Sequence, residues 1–311
     1  MKKPALLTLG LILIAFISVY FIIPQWIKTN NITQVDTTDE NIAKFLVDKH
    51  QWQKWWPGEH SAADSNEYSY KGVTYILQKA TNSDMQVQIK TGDLVLDSHL
   101  TYLAIDDGAT KVTWYAQMQS STNPFTRIAE FIRIKNTANG MTAILENFKR
   151  FMQTDTNVYG IKVNLKKIND PILLAKNMIT PTYPTTAIIY KMIADLKLQI
   201  KAKGVNETNK PMLNITPIDN EYHVMAAIPI NKTIVPDTGT VINNMVKGGN
   251  ILEADVKGGR GNIDNAFQQL KNYQKDHALV SPAMPFELII TDRIAEPDTA
   301  KWITQIYWPI F

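Results

Sequence analysis

One strand ending occurs twice in the second half of the chain, and no other sequence feature restricts the fold as strongly. Residues 301–311 read KWITQIYWPIF, and residues 221–230 read EYHVMAAIPI. Both stretches are rich in β-branched and aromatic residues, and both close on a proline, Pro309 and Pro229, which is typical of a strand end. The repetition predicts that this half of the chain was built by duplicating one unit.

Each copy has the same predicted order of strand, helix, strand and strand. The first copy covers residues 157–230, with its first strand at Val158–Val163 and apolar residues at helical spacing over 187–200. The second copy covers residues 250–311 and starts with a strand at Ile251–Val256. Because a single β-α-β-β unit leaves one side of its sheet open, we expect the two copies to pair and bury one continuous sheet.

The amino-acid composition argues against several classes of function. The chain has 311 residues and a net charge of +3 without a basic cluster, so we expect no nucleic-acid partner. It has no cysteine, which excludes disulfides, thiolate metal sites and a cysteine nucleophile. The five histidines are scattered and form no His-x-x-x-His pair, so we expect neither a metal site nor a cofactor.

An uncharged apolar run opens the chain. About 20 apolar residues are enough to span a bilayer as a helix, and this run has neither a polar face nor a small-x-small cleavage site. We therefore predict a transmembrane anchor over residues 1–28, with residues 4–27 in the membrane. Lys2 and Lys3 favour a cytoplasmic N-terminus and export of the remainder to the periplasmic side, whereas Lys28 on the far side opposes this orientation.

Residues 30–153 are predicted to form a separate domain. A short strand at Ile32–Val35 is followed by a helix and a tryptophan-rich turn over residues 40–58. Residues 68–119 then alternate as about six antiparallel strands with short turns, and a long helix covers residues 124–152. A curled antiparallel sheet closed by a terminal helix encloses a cavity.

This order resembles the polyketide-cyclase/START-like (SRPBCC) superfamily. The resemblance is carried by residues 40–58, where a helix ends in a Trp-x-x-Trp-Trp-Pro-Gly turn, and by the closing helix around residues 140–149. It implies an α+β helix-grip fold with an apolar ligand pocket between sheet and helix. Trp55 and Trp56, with Trp52, are candidates for a ligand gate, and closure of the core under the first helix is an equally good interpretation.

Residues 155–311 resemble the GyrI-like effector-binding domain. The matching residues are Val256–Gly259, Phe286–Ile289 with the following Thr-Asp pair, and Trp302–Ile310. The resemblance implies a duplicated β-α-β-β fold that holds a small lipophilic ligand in a cleft.

The closing strand supplies the candidate ligand-binding residues of this half. Alternation places Gln305 and Tyr307 on one face, which the resemblance makes the face of the cleft, and Glu287 and Trp302 complete the set. The family often has a glutamate where Gln305 stands, a buried carboxylate that pairs with cationic lipophilic ligands. A neutral glutamine cannot offset a buried positive charge, so we expect weak binding of such cations unless Glu287 supplies the charge.

These features predict a membrane-anchored protein that binds or senses small lipophilic molecules without catalysis. One alternative is a GyrI-like hydrolase in which Glu287 and Tyr307 act as acid and base, although an outward carboxylate on a strand is the simpler interpretation of Glu287. Another is a membrane-tethered interaction module whose pockets are filled by side chains. No helix-turn-helix segment is evident, so we do not expect direct transcriptional control.

Overall fold

A computed structural model describes residues 10, 13, 14 and 16–311. The chain divides between Thr154 and Asp155 into two compact units, here called the N-terminal unit and the C-terminal unit. Each unit combines one antiparallel sheet with helices, so the predicted α+β class is confirmed.

The N-terminal unit is an antiparallel sheet of seven strands in the order β1-β7-β6-β5-β4-β3-β2. Its strands are β1 (Trp26–Val35), β2 (Glu59–His60), β3 (Glu67–Tyr70), β4 (Val73–Ala80), β5 (Asp84–Thr91), β6 (Leu94–Asp106) and β7 (Ala109–Gln119). Its helices are α1 (Asp39–Leu46), α2 (Lys49–Trp55) and α3 (Pro124–Met152). Residues 16–22, ahead of β1, are also helical.

The long helix α3 begins at a well-formed cap and covers the sheet with one side. The side chain of Asn123 accepts hydrogen bonds from the backbone N–H groups of Phe125 and Thr126, and Pro124 occupies the first turn, where it has no N–H to lose. The apolar residues on its buried side recur at helical spacing: Ile134, Met141, Ile144, Leu145, Phe148 and Phe151. This stripe packs along β1.

Two predictions about the start of this unit need correction. The predicted strand Ile32–Val35 is only the end of β1, which begins at Trp26, opposite Gln119 of β7. Residues 26–28, assigned to the anchor, therefore belong to the sheet. No helix among the described residues is long and apolar enough to cross a membrane, and residues 1–9, 11, 12 and 15 of the predicted anchor lie outside that set.

The C-terminal unit is an antiparallel sheet of eight strands with two helices on one face. Its strands are β8 (Asn164–Lys167), β9 (Ile172–Thr180), β10 (Met212–Ile218), β11 (Glu221–Pro229), β12 (Val241–Asn244), β13 (Asn250–Lys257), β14 (Phe286–Ile289) and β15 (Ile303–Ile310). Its helices are α4 (Asp155–Val158), α5 (Thr186–Ala202) and α6 (Arg260–Asp276), with a short 3-10 turn at Thr299–Lys301.

The sheet order β12-β9-β11-β10-β14-β15-β13-β8 shows the duplication directly. Strands β9, β10 and β11 with α5 correspond to β13, β14 and β15 with α6, and the two copies meet at the antiparallel pair β10–β14. The edge strands are exchanged: β8 precedes the first copy but pairs with β13 of the second, while β12 precedes the second and pairs with β9 of the first.

The first strand of the first copy was predicted in the wrong place. It is β9 (Ile172–Thr180), not Val158–Val163. The apolar residues Ile161 and Val163 are partly buried against the core under α6, although the backbone N–H of Val163 bonds the Asp155 carboxylate instead of a strand partner. The apolar residues of this segment are partly buried without belonging to a strand, and their spacing therefore imitates the sequence pattern of a strand.

The two helices cover only one face of this sheet, here called the helix face. One apolar cluster joins α5 to β10 and β11, and another joins α6 to β13 and β15. A third cluster lies on the opposite face, here called the cleft face, and consists of Leu173, Ala175, Met212, Ala227, Ile251, Phe286 and Leu288. Among the described residues of the C-terminal unit, no helix packs on the cleft face, which contains the candidate site.

Candidate functional site

Strand register decides which candidate residues share a face, because residues opposite each other in neighbouring strands point the same way. Tyr307 lies opposite Glu253 of β13 on one side and Phe286 of β14 on the other. Phe286 belongs to the cleft-face cluster, against which Tyr307 also packs. Gln305, two residues before Tyr307, lies opposite Asp255 and shares the cleft face.

A cavity of about 190 Å³ opens on the cleft face. Its apolar lining consists of Ile168, Met212, Met245, Ile251, Phe286 and Leu288. Its polar lining consists of Lys166, Lys167, Asn169, Asp170, Asn209, Glu253 and Tyr307. Small-molecule sites usually combine apolar walls with convergent polar groups, and this cavity has both, with polar residues in about half of its lining.

Glu253 is the buried acid of this cavity. Its side chain is 2% exposed, and its two carboxylate oxygens have different partners. The Tyr307 hydroxyl donates to Oε2 over 2.7 Å, and the Lys166 ammonium lies 2.6 Å from Oε1. A buried charge is stable only when it is paired and hydrogen-bonded, and Glu253 meets both conditions.

The lysine partner differs from the tyrosine partner in its access to water. The Lys166 side chain is 51% exposed, so its ammonium can leave Glu253 for solvent without being buried. Tyr307 instead stacks on Phe286, with ring centroids 5.2 Å apart and planes inclined by 15°. The carboxylate therefore has one fixed partner and one exchangeable partner.

Burial raises the pKa of Tyr307 above its ordinary value, and the hydrogen bond to Glu253 and the negative charge of that residue raise it further. The phenol consequently stays protonated at neutral pH and acts as a donor. Gln305 contributes to the rim of this network: its Nε2 donates to Asp255 Oδ1 over 3.0 Å, and its Oε1 lies 3.2 Å from the Tyr307 hydroxyl.

Glu287 does not join this site. It lies opposite Ile306 in β15 and Leu213 in β10, two residues whose side chains pack under the helices, so it points to the helix face. Because Tyr307 points to the other face, the structure does not bring together the acid–base pair proposed for a hydrolase. The simpler interpretation of an outward carboxylate is wrong as well, since Glu287 is 2% exposed.

Two arginines neutralise Glu287 on the helix face. Arg293 Nη2 lies 2.9 Å from one carboxylate oxygen and also donates to the Thr304 hydroxyl over 3.0 Å. Arg260, the first residue of α6, approaches the other oxygen at 3.6 Å. The Trp302 ring lies 4.9 Å from the Arg293 guanidinium, and its N–H donates to a backbone carbonyl, so Trp302 belongs to this ion cluster and not to the cavity lining.

Trp55 and Trp56 lie in the core of the N-terminal unit. They are 1% and 8% exposed, and Trp52 is fully buried beside them. Their indole N–H groups donate to the backbone carbonyls of Phe45 and Ser69, respectively. Satisfied donors and close ring contacts favour the interpretation that this cluster closes the core under α1 and α2.

Sequence reasoning missed Glu253 and Lys166. Glu253 lies within the predicted strand Ile251–Val256, and two acids, Glu253 and Asp255, alternating with apolar residues were a usable signal. Its role depends on its position opposite Tyr307, and Lys166 reaches it from edge strand β8. Among the described residues, no group of three or more histidine or acidic side chains could hold a metal ion.

No protein-family model matches the chain, and no curated protein was found to be similar to it. Solved structures of similar fold were found. The EcmrR C-terminal domain is 20% identical, with 49% of this chain and 98% of that chain covered and a TM-score of 0.42. SAV2435 bound to tetraphenylphosphonium is 15% identical, with 48% and 94% covered and a TM-score of 0.33. An uncharacterized conserved protein from Listeria innocua is 8% identical, with 48% and 92% covered and a TM-score of 0.38. Likeness at this level says nothing of what this chain binds.

Proposed function

We propose that the C-terminal unit binds small molecules that place a cationic or hydrogen-bond-donating group on Glu253 and an apolar ring in the cleft. The observation that carries this proposal is the burial of the Glu253 carboxylate in a cavity where it lies beside apolar side chains and a half-exposed lysine. This buried acid needs a positive partner, and the half-exposed Lys166 that now provides it can be exchanged for a ligand cation. The duplicated β-α-β-β topology supports a GyrI-like effector-binding fold for this unit.

Exchange at Lys166 makes room for a ligand cation. When a ligand amine takes the place of the Lys166 ammonium near Glu253 Oε1, the lysine moves to water and the carboxylate keeps a positive partner. The Tyr307 hydroxyl keeps its bond to the other oxygen throughout. The sequence predicts weak cation binding because Gln305 is neutral, unless Glu287 supplies the charge. In this proposal Glu253, on the neighbouring strand, supplies it instead.

Cavity size limits what enters. Pockets for drug-sized ligands usually enclose about 300–1,000 Å³. A cavity of about 190 Å³ accepts a group of roughly one aromatic ring, and the rest of the ligand lies on the rim near Asn169, Asp170 and Asn209.

A thermal-shift screen of the full chain in detergent tests this function. Lipophilic amines and quaternary ammonium compounds should stabilise the C-terminal unit, since a ligand at 100 times its dissociation constant adds about 2.7 kcal/mol. Glu253→Gln should abolish the effect, and Asp255→Asn, which changes a neighbouring acid outside the cavity lining, should preserve it. Equal responses of Glu253→Gln and the unaltered chain would contradict the proposal.

We also propose that residues 4–22 anchor the chain in a membrane, with Lys2 and Lys3 in the cytoplasm and both units on the exported side; residues 26 and 27 of the predicted anchor belong to β1. The uncharged apolar run and the preceding lysines support this proposal. Protease added to spheroplasts should digest the C-terminal unit, and protection of that unit would overturn the exported assignment.

For the N-terminal unit we propose the START-like helix-grip fold. The strand order, with two short helices after β1 and one long helix at the end, supports it. The tryptophan cluster fills the space under α1 and α2. Its side chains therefore support the fold, and we place the ligand site in the C-terminal unit.

A further inference from the structure

The first half of α3 exposes large apolar side chains on one side. Phe125 is 67% exposed, Ile128 38% and Ile132 53%. Their spacing of three and four residues puts them on one side of the helix, away from the stripe that packs along β1. These three residues are here called the α3 apolar face.

The helical segment at residues 16–22 lies against the same end of α3. The rings of Phe16 and Phe125 meet edge to face with centroids 5.2 Å apart. The Tyr20 hydroxyl donates to the backbone carbonyl of Thr122 over 2.6 Å. The α3 apolar face is thus continuous with the end of the apolar run, where Phe21 is 85% exposed.

A buried arginine fixes this arrangement. Arg127, 6% exposed, donates from Nη2 and Nε to the backbone carbonyl of Ile23 over 2.6 and 3.1 Å. Its guanidinium also lies over the Tyr20 ring at 5.0 Å. A cation bonded to the carbonyl at the end of a helix is a favourable cap, and here it holds the end of the apolar segment against α3.

Two exposed basic side chains follow this face on α3, and one of them is paired with an exposed acid. They are Arg133 and Lys135. Arg133 is paired with Asp93, whereas Lys135 lies over the Phe131 ring at 5.5 Å. Apolar side chains bordered by lysine and arginine are typical of helices that lie in a membrane interface that contains anionic lipids.

We propose that the α3 apolar face lies in the headgroup region of the bilayer that holds residues 4–22, so that the N-terminal unit rests on the membrane. This inference depends on the proposed anchor. Its support is the continuity of the two apolar surfaces and the presence of Lys135 next to them on α3. The face lies in the interface plane and does not span the bilayer.

Site-directed fluorescence tests the contact, because the chain has no cysteine and one can be introduced anywhere. The variants Ile128→Cys and Ile132→Cys receive an environment-sensitive label in the full chain, reconstituted in vesicles of phosphatidylcholine and phosphatidylglycerol. The matched control is Leu103→Cys, at a residue that is 63% exposed. In the sheet, Leu103 of β6 lies opposite Lys111 of β7, and Lys111 lies opposite Gln34 of β1. Leu103 is therefore level with the far end of β1, roughly 26 Å from the level of Trp26 at a rise of ~3.3 Å per residue.

The fluorescence emission of labels at residues 128 and 132 should shift to the blue in the presence of vesicles. Lipid that carries a spin label near its headgroup should quench these two labels several-fold more than the label at residue 103. If the chain floats with the vesicles but the three labels are quenched equally, the membrane contact is overturned and the anchor stands. If the chain does not float, the anchor is overturned and this inference with it. A blue shift without quenching would assign the face to a second protein molecule and would also overturn it.

Discussion

Tyr307 donates a hydrogen bond to Glu253 across neighbouring strands, with 2.7 Å between the phenol oxygen and carboxylate Oε2. This pair combines a buried acid with a protonated donor that is stacked on an aromatic ring. The second carboxylate oxygen is held by a half-exposed lysine. The asymmetry between the two oxygens is the basis of the proposed binding site.

Removal of the Tyr307 hydroxyl should lower stability and change its pH dependence. Tyr307→Phe leaves Glu253 Oε2 without its donor, at a cost of about 1–2 kcal/mol at neutral pH. The pKa of Tyr307 is raised in the folded state, so its stabilising contribution is full below pH about 10 and is lost as pH rises further. Between pH 9 and 11, the free energy of unfolding measured in urea should fall more steeply with pH for the unaltered chain than for Tyr307→Phe. An identical pH dependence of the two proteins would contradict the raised pKa of Tyr307.

Replacement of Lys166 should strengthen cation binding. Lys166→Met removes the internal competitor for Glu253 Oε1, so the dissociation constant for a cationic ligand should fall while thermal stability decreases. The matched control is Lys167→Met, at the adjacent lysine, whose ammonium bonds Asn250. Titration calorimetry measures both variants. Weaker cation binding by Lys166→Met than by the control would show that the lysine helps to hold the ligand.

Glu287 should matter for stability and not for binding. Glu287→Gln leaves the buried guanidinium of Arg293 without its closest counter-charge, a change that typically costs about 3–5 kcal/mol. Because Glu287 points to the helix face, the affinity for cations should stay the same in any fraction that folds. Thermal unfolding and ligand titration at low temperature separate the two effects. A variant of unaltered stability that has lost cation binding would restore Glu287 as a ligand residue.

The tryptophan cluster should behave as a core. Trp55→Ala removes a fully buried ring and should cost about 3–5 kcal/mol in the N-terminal unit, without effect on ligand affinity. Trp26→Ala, at a half-exposed ring, is the control and should change stability little. Denaturant unfolding followed by near-ultraviolet circular dichroism measures both. Loss of ligand binding by Trp55→Ala at unaltered stability would support the gate interpretation instead.

The sequence predicted the features that repeat along the chain. The two proline-closed strands, β11 and β15, indicated the duplication, and alternation along β15 placed Gln305 and Tyr307 on one face. Helical spacing placed α3, α5 and α6 near their observed positions, because buried stripes with a 3.6-residue period are readable without tertiary information.

Features that depend on strand pairing could not be predicted in this way. The face of Glu287 follows from its position opposite Ile306, and the role of Glu253 follows from its position opposite Tyr307. The exchange of β8 and β12 between the copies has no local signal either, since each strand is short and pairs far along the chain. Local alternation gives two possible faces, and only the register selects one.

The most direct test of the central claim is titration calorimetry with a matched pair of ligands, an aromatic quaternary ammonium compound and its uncharged carbon isostere. The unaltered chain should bind the cation at least about tenfold more tightly, equivalent to about 1.4 kcal/mol, and Glu253→Gln should remove this preference while binding the isostere as before. Equal affinities of the unaltered chain for the two compounds, or a preference that survives in Glu253→Gln, would contradict a binding site built on this carboxylate.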